Sequence, residues 1–165
     1  MNSAEAFIKP NYWEVPQLSD VENVENLLGK KPSGDFFVAK RNADGSPVVI
    51  ENAPFLKDGT PMPTMYWLID PELVAQVSRI ESHGGVKQAE EFVGIETIEK
   101  IHKQYELKRE SEISQNYDGP KPTGGVGGTR RGVKCLHAHV ANYLVNKNDE
   151  VGQWTIDQIE KMNNE

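Results

Sequence analysis

A helix with two clearly marked ends, between Asp70 and Gly85, constrains the fold of this chain most strongly. Asp70 is a common helix-capping residue, Pro71 suits the first helical position, and Glu72 favours the positive end of the helix dipole. Apolar residues then recur at helical spacing until the pair Gly84-Gly85 ends the pattern. The segment therefore predicts one amphipathic helix with defined direction and length.

Short β-strands are predicted on the N-terminal side of this helix. Residues 36–39 and 48–50 are apolar or aromatic, and the turn-forming residues 42–45 lie between them, which favours a hairpin. A loop with a turn at Asp58-Gly59 follows, and residues 65–69 then predict a third strand. These segments indicate a small antiparallel sheet of about three strands.

Further helices are predicted C-terminal to the sheet. Residues 86–114 have a helical pattern that is broken near Gly94, and two last helices are expected over about 131–146 and 152–162. The predicted fold class is therefore α+β, with four to five helices dominating the small sheet.

Residues 1–34 are predicted to form an N-terminal arm that precedes a single domain of residues 35–165. The arm contains one short helix candidate, which starts at Ser19 or Asp20 and ends near Gly29. Tyr12 and Trp13 are expected to anchor the arm on the domain, because isolated aromatic residues usually pack.

A glycine-rich loop leads into the predicted helix over 131–146. Glycines let backbone N–H groups approach a ligand, and a helix start concentrates positive potential. The pattern matches neither a P-loop nor a dinucleotide fingerprint, and a flexible loop with solvated cations is the alternative interpretation. The predicted anion-binding residues here are Gly124, Gly125, Gly127, Gly128, Thr129, Arg130, Arg131 and Lys134.

Three residues of the following segment are candidate catalytic residues: Cys135, His137 and His139. A helix start and nearby cations favour a thiolate at Cys135, and His139 at i+4 could activate it, with Asn142 on the same flank. His137 is a candidate general acid or base. The alternative is that Cys135 is an ordinary packing residue.

No metal site is predicted from these residues. On a helix that includes Cys135, a helical wheel places His137 on one flank of the apolar stripe and Cys135 and His139 on the other. One zinc ion therefore cannot contact all three. A pair of Cys135 and His139, completed by ligands from elsewhere, stays open.

The composition limits the partners and the compartment. The 25 acidic and 18 basic residues give a net charge of −7, which disfavours broad nucleic-acid binding. A single cysteine, the absence of a membrane-length apolar run and an N-terminus unlike a signal peptide predict a cytoplasmic protein. The carboxylates Glu110 and Glu112, and His102, are interpreted as solvated helix surface.

Several motifs resemble the bacterial domain-of-unknown-function family 501. They lie at residues 58–68, 77–86, 133–138 and 151–154, in the family's order, so the resemblance covers about residues 36–154. The family brings no known activity. The resemblance adds residues to the candidate ligand-binding surface, namely Asp58, Thr60, Thr64, Tyr66, Arg79 and Glu81.

Two functions follow from these observations. The first is binding of a small anionic ligand, phosphorylated or carboxylated, by the glycine-rich loop and the arginines; enzymatic activity is left open. This hypothesis expects loss of binding when Arg130 and Arg131 are replaced by alanine. The alternative is a non-catalytic module that binds a protein or RNA partner through the same surface, with Tyr66 and Trp67 as anchors. The sequence identifies no cofactor.

Overall fold

The fold combines seven α-helices with one three-stranded sheet, in a computed structural model that describes residues 1–165. The α+β class is confirmed, although the helices outnumber the predicted four to five because the arm contains two and Gly94 separates two more. The elements are α1 (Ser3–Ala6), α2 (Leu18–Leu28), β1 (Phe36–Arg41), β2 (Pro47–Asn52), β3 (Tyr66–Leu68), α3 (Pro71–Ser82), α4 (Gly85–Val93), α5 (Ile95–Ser111), a 3₁₀ turn (Val126–Gly128), α6 (Leu136–Asn146) and α7 (Glu150–Asn163).

The sheet is antiparallel in the order β1-β2-β3. The predicted hairpin is confirmed: the Gly45 N–H donates to the Asn42 carbonyl over 2.9 Å, and Gly45 has a φ of 88° that favours glycine. The central strand β2 is buried along its whole length, and Val49 pairs with Leu68 of β3. The core therefore lies on both faces of β2.

Helix α3 forms as its sequence predicts. Asp70 accepts a hydrogen bond from the Leu73 N–H at 3.0 Å, and the helix ends at Ser82 before Gly84, which has a φ of 85°. The predicted break at Gly94 is also confirmed, because this residue has a φ of 89° and separates α4 from α5.

Helix α6 lies at the centre of the main core. Its residues Leu136, Val140 and Ala141 have no exposed surface, and they share one cluster with Met65 and with residues of α3, α5 and α7. Gly152 of α7 lets this helix approach α6 closely, since a Cβ atom there would lie 2.3 Å from the His139 carbonyl oxygen. The position of α6 against β3 builds the candidate site.

Two predicted helix starts are wrong. Helix α6 begins at Leu136 instead of residue 131, because Gly132 has a φ of 63° and Cys135 is extended, with φ −152° and ψ 148°. Helix α2 begins at Leu18, after Gln17, instead of at Ser19 or Asp20. The first error changes the geometry of the site, as described below.

The N-terminal arm packs on the rest of the chain. Phe7 forms an antiparallel bridge with Ile113, and the Ile8 N–H donates to the Glu112 carbonyl at 2.7 Å. The rings of Tyr12 and Trp13 both pack against Phe37, which confirms that these two residues anchor the arm. The division of the chain at residue 34 stays a prediction. None of the helices combines the length and the apolar character that crossing a membrane requires.

Candidate functional site

A pocket of about 300 Å³ opens between β3 and the start of α6. Six of its residues were candidate catalytic or ligand-binding residues from the sequence, and the structure brings them together: Thr64, Tyr66, Gly127, Lys134, Cys135 and His137. Leu28, Trp67, Leu68 and Ala138 complete the lining. The pocket therefore has largely apolar walls with a few polar groups, which is the usual composition of a small-molecule site.

His137 projects from the first turn of α6 toward α3. Its Nδ1 lies 3.2 Å from Glu81 Oε1, and its Nε2 lies 3.1 Å from both the Val74 carbonyl oxygen and Ser78 Oγ. A hydrogen bond with Cys135 raises the pKa of His137 most; burial lowers it, and the Val74 carbonyl and the Glu81 charge raise it, so the net pKa is above its ordinary value.

Glu81 caps α6 from a different helix. Its Oε2 accepts a hydrogen bond from the Leu136 N–H at 2.9 Å, while its Oε1 faces His137. A carboxylate is favourable at a helix N-terminus because it satisfies a free N–H and the helix dipole. The anion at the start of α6 is therefore a side chain of the protein itself, and Glu81 does not line the pocket.

Cys135 occupies the N-cap position of α6 and is partly buried. Burial raises the pKa of its thiol, but hydrogen bonds from His137 and from the Ala138 N–H, with the nearby His137 charge, lower the pKa below its ordinary value overall. The Cys135 sulfur, a His137 nitrogen and a Glu81 oxygen all lie within 4.8 Å of one another. The predicted separation of Cys135 and His137 on two helix flanks is wrong, because Cys135 precedes the helix.

His139 lies in a buried hydrogen-bond network with the start of α7. It has no exposed surface, and its Nδ1 lies 2.8 Å from Asp149 Oδ2, which also accepts from Asn142 Nδ2 at 2.9 Å. The Nδ1 of His139 and the amide of Asn142 are thus bound to the N-cap of α7, whereas the buried Nε2 of His139 has no hydrogen-bond partner. The predicted set of Cys135, His139 and Asn142 stays a prediction. His139 belongs to no group of three or more potential metal ligands, and the one such group consists of Glu81, Cys135 and His137.

Three backbone N–H groups of the glycine-rich loop form hydrogen bonds within the protein. The Gly125 N–H donates to the Thr129 carbonyl at 2.7 Å, the Val126 N–H to His102 Nδ1 at 3.0 Å, and the Gly128 N–H to the Gly125 carbonyl at 3.0 Å. His102 is 2% exposed, which corrects its predicted solvated position. Of the loop glycines, only Gly127 lines the pocket.

A buried arginine of α5 binds the glycine-rich loop. Arg109 has no exposed surface, and it donates from Nη2 to the Gly124 carbonyl and from Nη1 to the Pro63 carbonyl, each at 2.7 Å. Gly125 packs so closely on α5 that a Cβ atom would lie 2.4 Å from the His102 Cβ. The absence of a side chain at Gly125 therefore allows the loop to pack closely on α5, which is a second reason for glycine here besides access to backbone N–H groups.

The predicted arginines lie outside the pocket. Arg79, Arg130 and Arg131 are exposed, and Arg130 Nε lies 3.8 Å from Glu106 Oε2. Thr129 is also absent from the lining, and its Oγ1 donates to the Arg131 carbonyl at 2.9 Å. Lys134 is the cation that the structure places at the pocket.

A buried polar cluster was missed by the sequence interpretation. Glu51 is 1% exposed and accepts hydrogen bonds from Tyr12 Oη, at 2.9 Å, and from Trp13 Nε1. Glu112 is 5% exposed, although it was interpreted as solvated surface, and Lys108 Nζ nearby donates to Tyr66 Oη at 2.6 Å. The sequence contained one indication of this burial: Glu51 directly follows the apolar residues of β2, a strand that is buried along its whole length.

This cluster predicts a stability that falls as pH rises. Burial, followed by the charge of Glu51, raises the pKa of Glu112 to about 8; the Lys108 charge and a Tyr12 hydrogen bond oppose the rise. Between the ordinary pKa and the raised one, the folded chain binds a proton that the unfolded chain lacks, so raising the pH favours unfolding. We expect wild type to lose up to about 2 kcal/mol of unfolding free energy between pH 6 and pH 8.

The matched comparison is Glu112→Gln against Glu110→Gln, which changes an exposed neighbour. Urea unfolding at the two pH values should show a smaller loss of stability in Glu112→Gln and an unchanged loss in Glu110→Gln. Equal pH dependence in all three proteins would contradict the assignment.

The matched family agrees with the resemblance seen in the sequence. A profile of the family described as "Protein of unknown function (DUF501)" matches residues 38–157, more than half of the chain. The chain belongs to this family. Apart from Leu28, every pocket-lining residue lies within the DUF501 segment, whereas residues 1–34 lie outside it. Neither a curated protein nor a solved structure shows significant similarity to the chain.

Proposed function

We propose that the pocket between β3 and α6 binds a small ligand with an anionic group, phosphorylated or carboxylated. The observation that carries this proposal is the convergence of Thr64, Gly127, Lys134, Cys135 and His137 on one cavity of about 300 Å³. That volume lies at the lower end of the range for ligand pockets, which favours a small molecule.

The charge of the lining supports an anion. Lys134 is the one Lys or Arg among the ten lining residues, and none of them is acidic. Lys134 is exposed and forms no ion pair with a carboxylate, so its charge is free for a ligand. An ammonium group at the mouth of a partly apolar cavity attracts an anion more strongly than one surrounded by water does.

The reactive side chains of this pocket are Cys135 and His137. Both line the cavity, so a ligand bound by Lys134 lies beside them. We assign any chemistry of the chain to these two residues, and we propose a cytoplasmic location because the single cysteine, Cys135, is free. His139 and the arginines of the sequence hypothesis have no part in this proposal.

A charge-matched pair of variants tests the proposal. Lys134→Ala and Arg131→Ala each remove one exposed cation from the same segment, but only Lys134 lines the pocket. Thermal unfolding is measured with phosphate, pyrophosphate, short polyphosphate, nucleotides and small carboxylates. At a ligand concentration of 100 times Kd, wild type and Arg131→Ala should gain about 2.7 kcal/mol, while Lys134→Ala should gain far less.

Two outcomes would contradict the proposal. One is the absence of a shift with every anion in wild type. The other is an equal loss of anion-induced stabilisation in Lys134→Ala and Arg131→Ala, which would indicate a general effect of surface charge. Tyr66 is 1% exposed and its hydroxyl binds Lys108, so the interaction-module alternative would depend on Trp67 as its anchor.

A further inference from the structure

Three side chains of different chemistry converge beside the pocket. Glu81 comes from the end of α3, Cys135 precedes α6, and His137 lies in the first turn of α6; one potential ligand atom of each lies within 4.8 Å of the other two. Zinc–ligand bonds of about 2.0–2.3 Å place neighbouring ligand atoms of a tetrahedral shell about 3.3–3.7 Å apart. The 3.2 Å between His137 Nδ1 and Glu81 Oε1 is close to that edge length.

Two of the three side chains, His137 and Glu81, are also held by a second contact that leaves one potential ligand atom directed toward the other residues of the group. The Val74 carbonyl, 3.1 Å from His137 Nε2, can only accept, so it fixes a proton on Nε2 and directs Nδ1 toward Glu81. Glu81 Oε2 accepts from the Leu136 N–H, which leaves Oε1 for the shared point. Such outer contacts are characteristic of metal-binding histidines and carboxylates.

We propose that Glu81, Cys135 and His137 form a Zn²⁺ site. One thiolate sulfur, one imidazole nitrogen and one carboxylate oxygen match the ligand preferences of zinc, and three protein ligands are typical of zinc sites that keep a fourth position open. Cys135 and His137 both line the pocket, so the fourth position faces the cavity. Binding displaces a proton from the Cys135 thiol and any proton on His137 Nδ1.

This site does not depend on the anionic ligand. Lys134 is not one of the three metal-binding residues, and zinc binding is measured in the absence of any ligand. Failure of the anion experiment therefore leaves the zinc proposal intact, and failure of the zinc experiment leaves the Lys134 experiment intact. Where both hold, the metal faces the cavity in which the anion binds.

The test uses the full chain, treated with a chelator and then titrated with Co²⁺ as a spectroscopic substitute for Zn²⁺. We expect one equivalent of Co²⁺ to give a thiolate-to-Co²⁺ charge-transfer band in the ultraviolet. We also expect the strong visible bands that are typical of Co²⁺ with a low coordination number. One equivalent of Zn²⁺ should then remove both. Competition with a chromophoric chelator gives the zinc Kd, and thermal unfolding should show stabilisation by Zn²⁺.

The variants separate ligation from folding. Cys135→Ser, His137→Gln and Glu81→Gln each replace one proposed ligand by a residue of similar size, and Glu81→Gln keeps an oxygen for the Leu136 N–H. His83→Gln is the control, because His83 lies at the end of the same helix α3 but hydrogen-bonds the Arg79 carbonyl. Each ligand variant should raise the zinc Kd by at least about 100-fold. Ser78→Ala, which removes the hydroxyl that lies 3.1 Å from His137 Nε2, should raise it by about 10-fold.

Several results would overturn the proposal. The first is the absence of stoichiometric binding of either metal by wild type that circular dichroism shows to be folded. The second is a Co²⁺ complex without a thiolate band, which would exclude Cys135 as a ligand. The third is a zinc Kd in folded Glu81→Gln or His137→Gln equal to that of His83→Gln.

Discussion

Replacing Arg109 by alanine lowers the free energy of unfolding by about 3–5 kcal/mol. The guanidinium is fully buried and donates at 2.7 Å to the carbonyls of Pro63 and Gly124. Truncation leaves both oxygens without a partner, and each buried unpaired carbonyl costs about 1–3 kcal/mol. The lost packing of the side-chain stem adds to this cost.

The control for this prediction is Lys103→Ala, which removes an exposed cation from the same helix α5. Urea unfolding of both variants and of wild type gives the comparison, and Lys103→Ala should change stability by less than about 0.5 kcal/mol. A similar small loss in Arg109→Ala would mean that water or backbone movement compensates the two carbonyls.

Arg109 also connects the fold to the pocket. Pro63 precedes Thr64, and Gly124 begins the loop that contains Gly127, so one side chain joins the two segments that supply these lining residues. We therefore expect a folded Arg109 variant to bind anions more weakly than wild type, although Arg109 itself does not line the pocket. In the proposed site, Arg109 would act as a positioning residue.

The elements that were predicted correctly depend on local rules. Asp70 caps α3 within its own first turn, and Gly94 separates α4 from α5 through its own backbone angle. Such features involve residues that are close in sequence, so the local sequence pattern is enough to predict them. The same holds for the hairpin at Gly45.

The errors at the site have long-range causes. The start of α6 is capped by Glu81, which is 55 residues away in sequence, and no local pattern near Cys135 indicates that partner. With the start moved to Leu136, Cys135 and His137 come together instead of diverging on a helical wheel. Cys135, His137, Lys134 and Thr64 are candidates from the sequence that line one pocket, but their relative geometry depends on the tertiary structure.

The buried charges show the same limit. Glu112 and Arg109 lie in or beside a helix whose other charged residues are largely solvated, so residue type alone predicts exposure for both. Their burial results from the arm and the glycine-rich loop, which cover this part of α5. Only the contact of distant segments distinguishes them from Glu110.

Replacing Asp149 by alanine is expected to lower the free energy of unfolding by about 3–7 kcal/mol. Its carboxylate caps α7 by accepting from the Gly152 N–H at 3.0 Å, and it also accepts from His139 at 2.8 Å and from Asn142 at 2.9 Å. Loss of the cap costs about 1 kcal/mol, and each buried donor left unpaired costs about 1–3 kcal/mol more.

Asp157→Ala is the matched control, because Asp157 is an exposed carboxylate on the same helix. Urea unfolding should show a change below about 0.5 kcal/mol for this variant. Asp149→Asn should lie between the two, since its amide oxygen can still accept from the Gly152 N–H. An equal stability of Asp149→Ala and Asp157→Ala would remove the structural role assigned to this network.

The milder variant also decides between a structural and a catalytic His139. Asp149→Asn removes the carboxylate that holds His139 but leaves Lys134, Cys135 and His137 in place. If His139 is structural, this variant loses stability while its Kd for anions and for Zn²⁺, measured well below its Tm, equals that of wild type. A large change of either Kd in the folded variant would return His139 to the site, where the sequence alone had placed it.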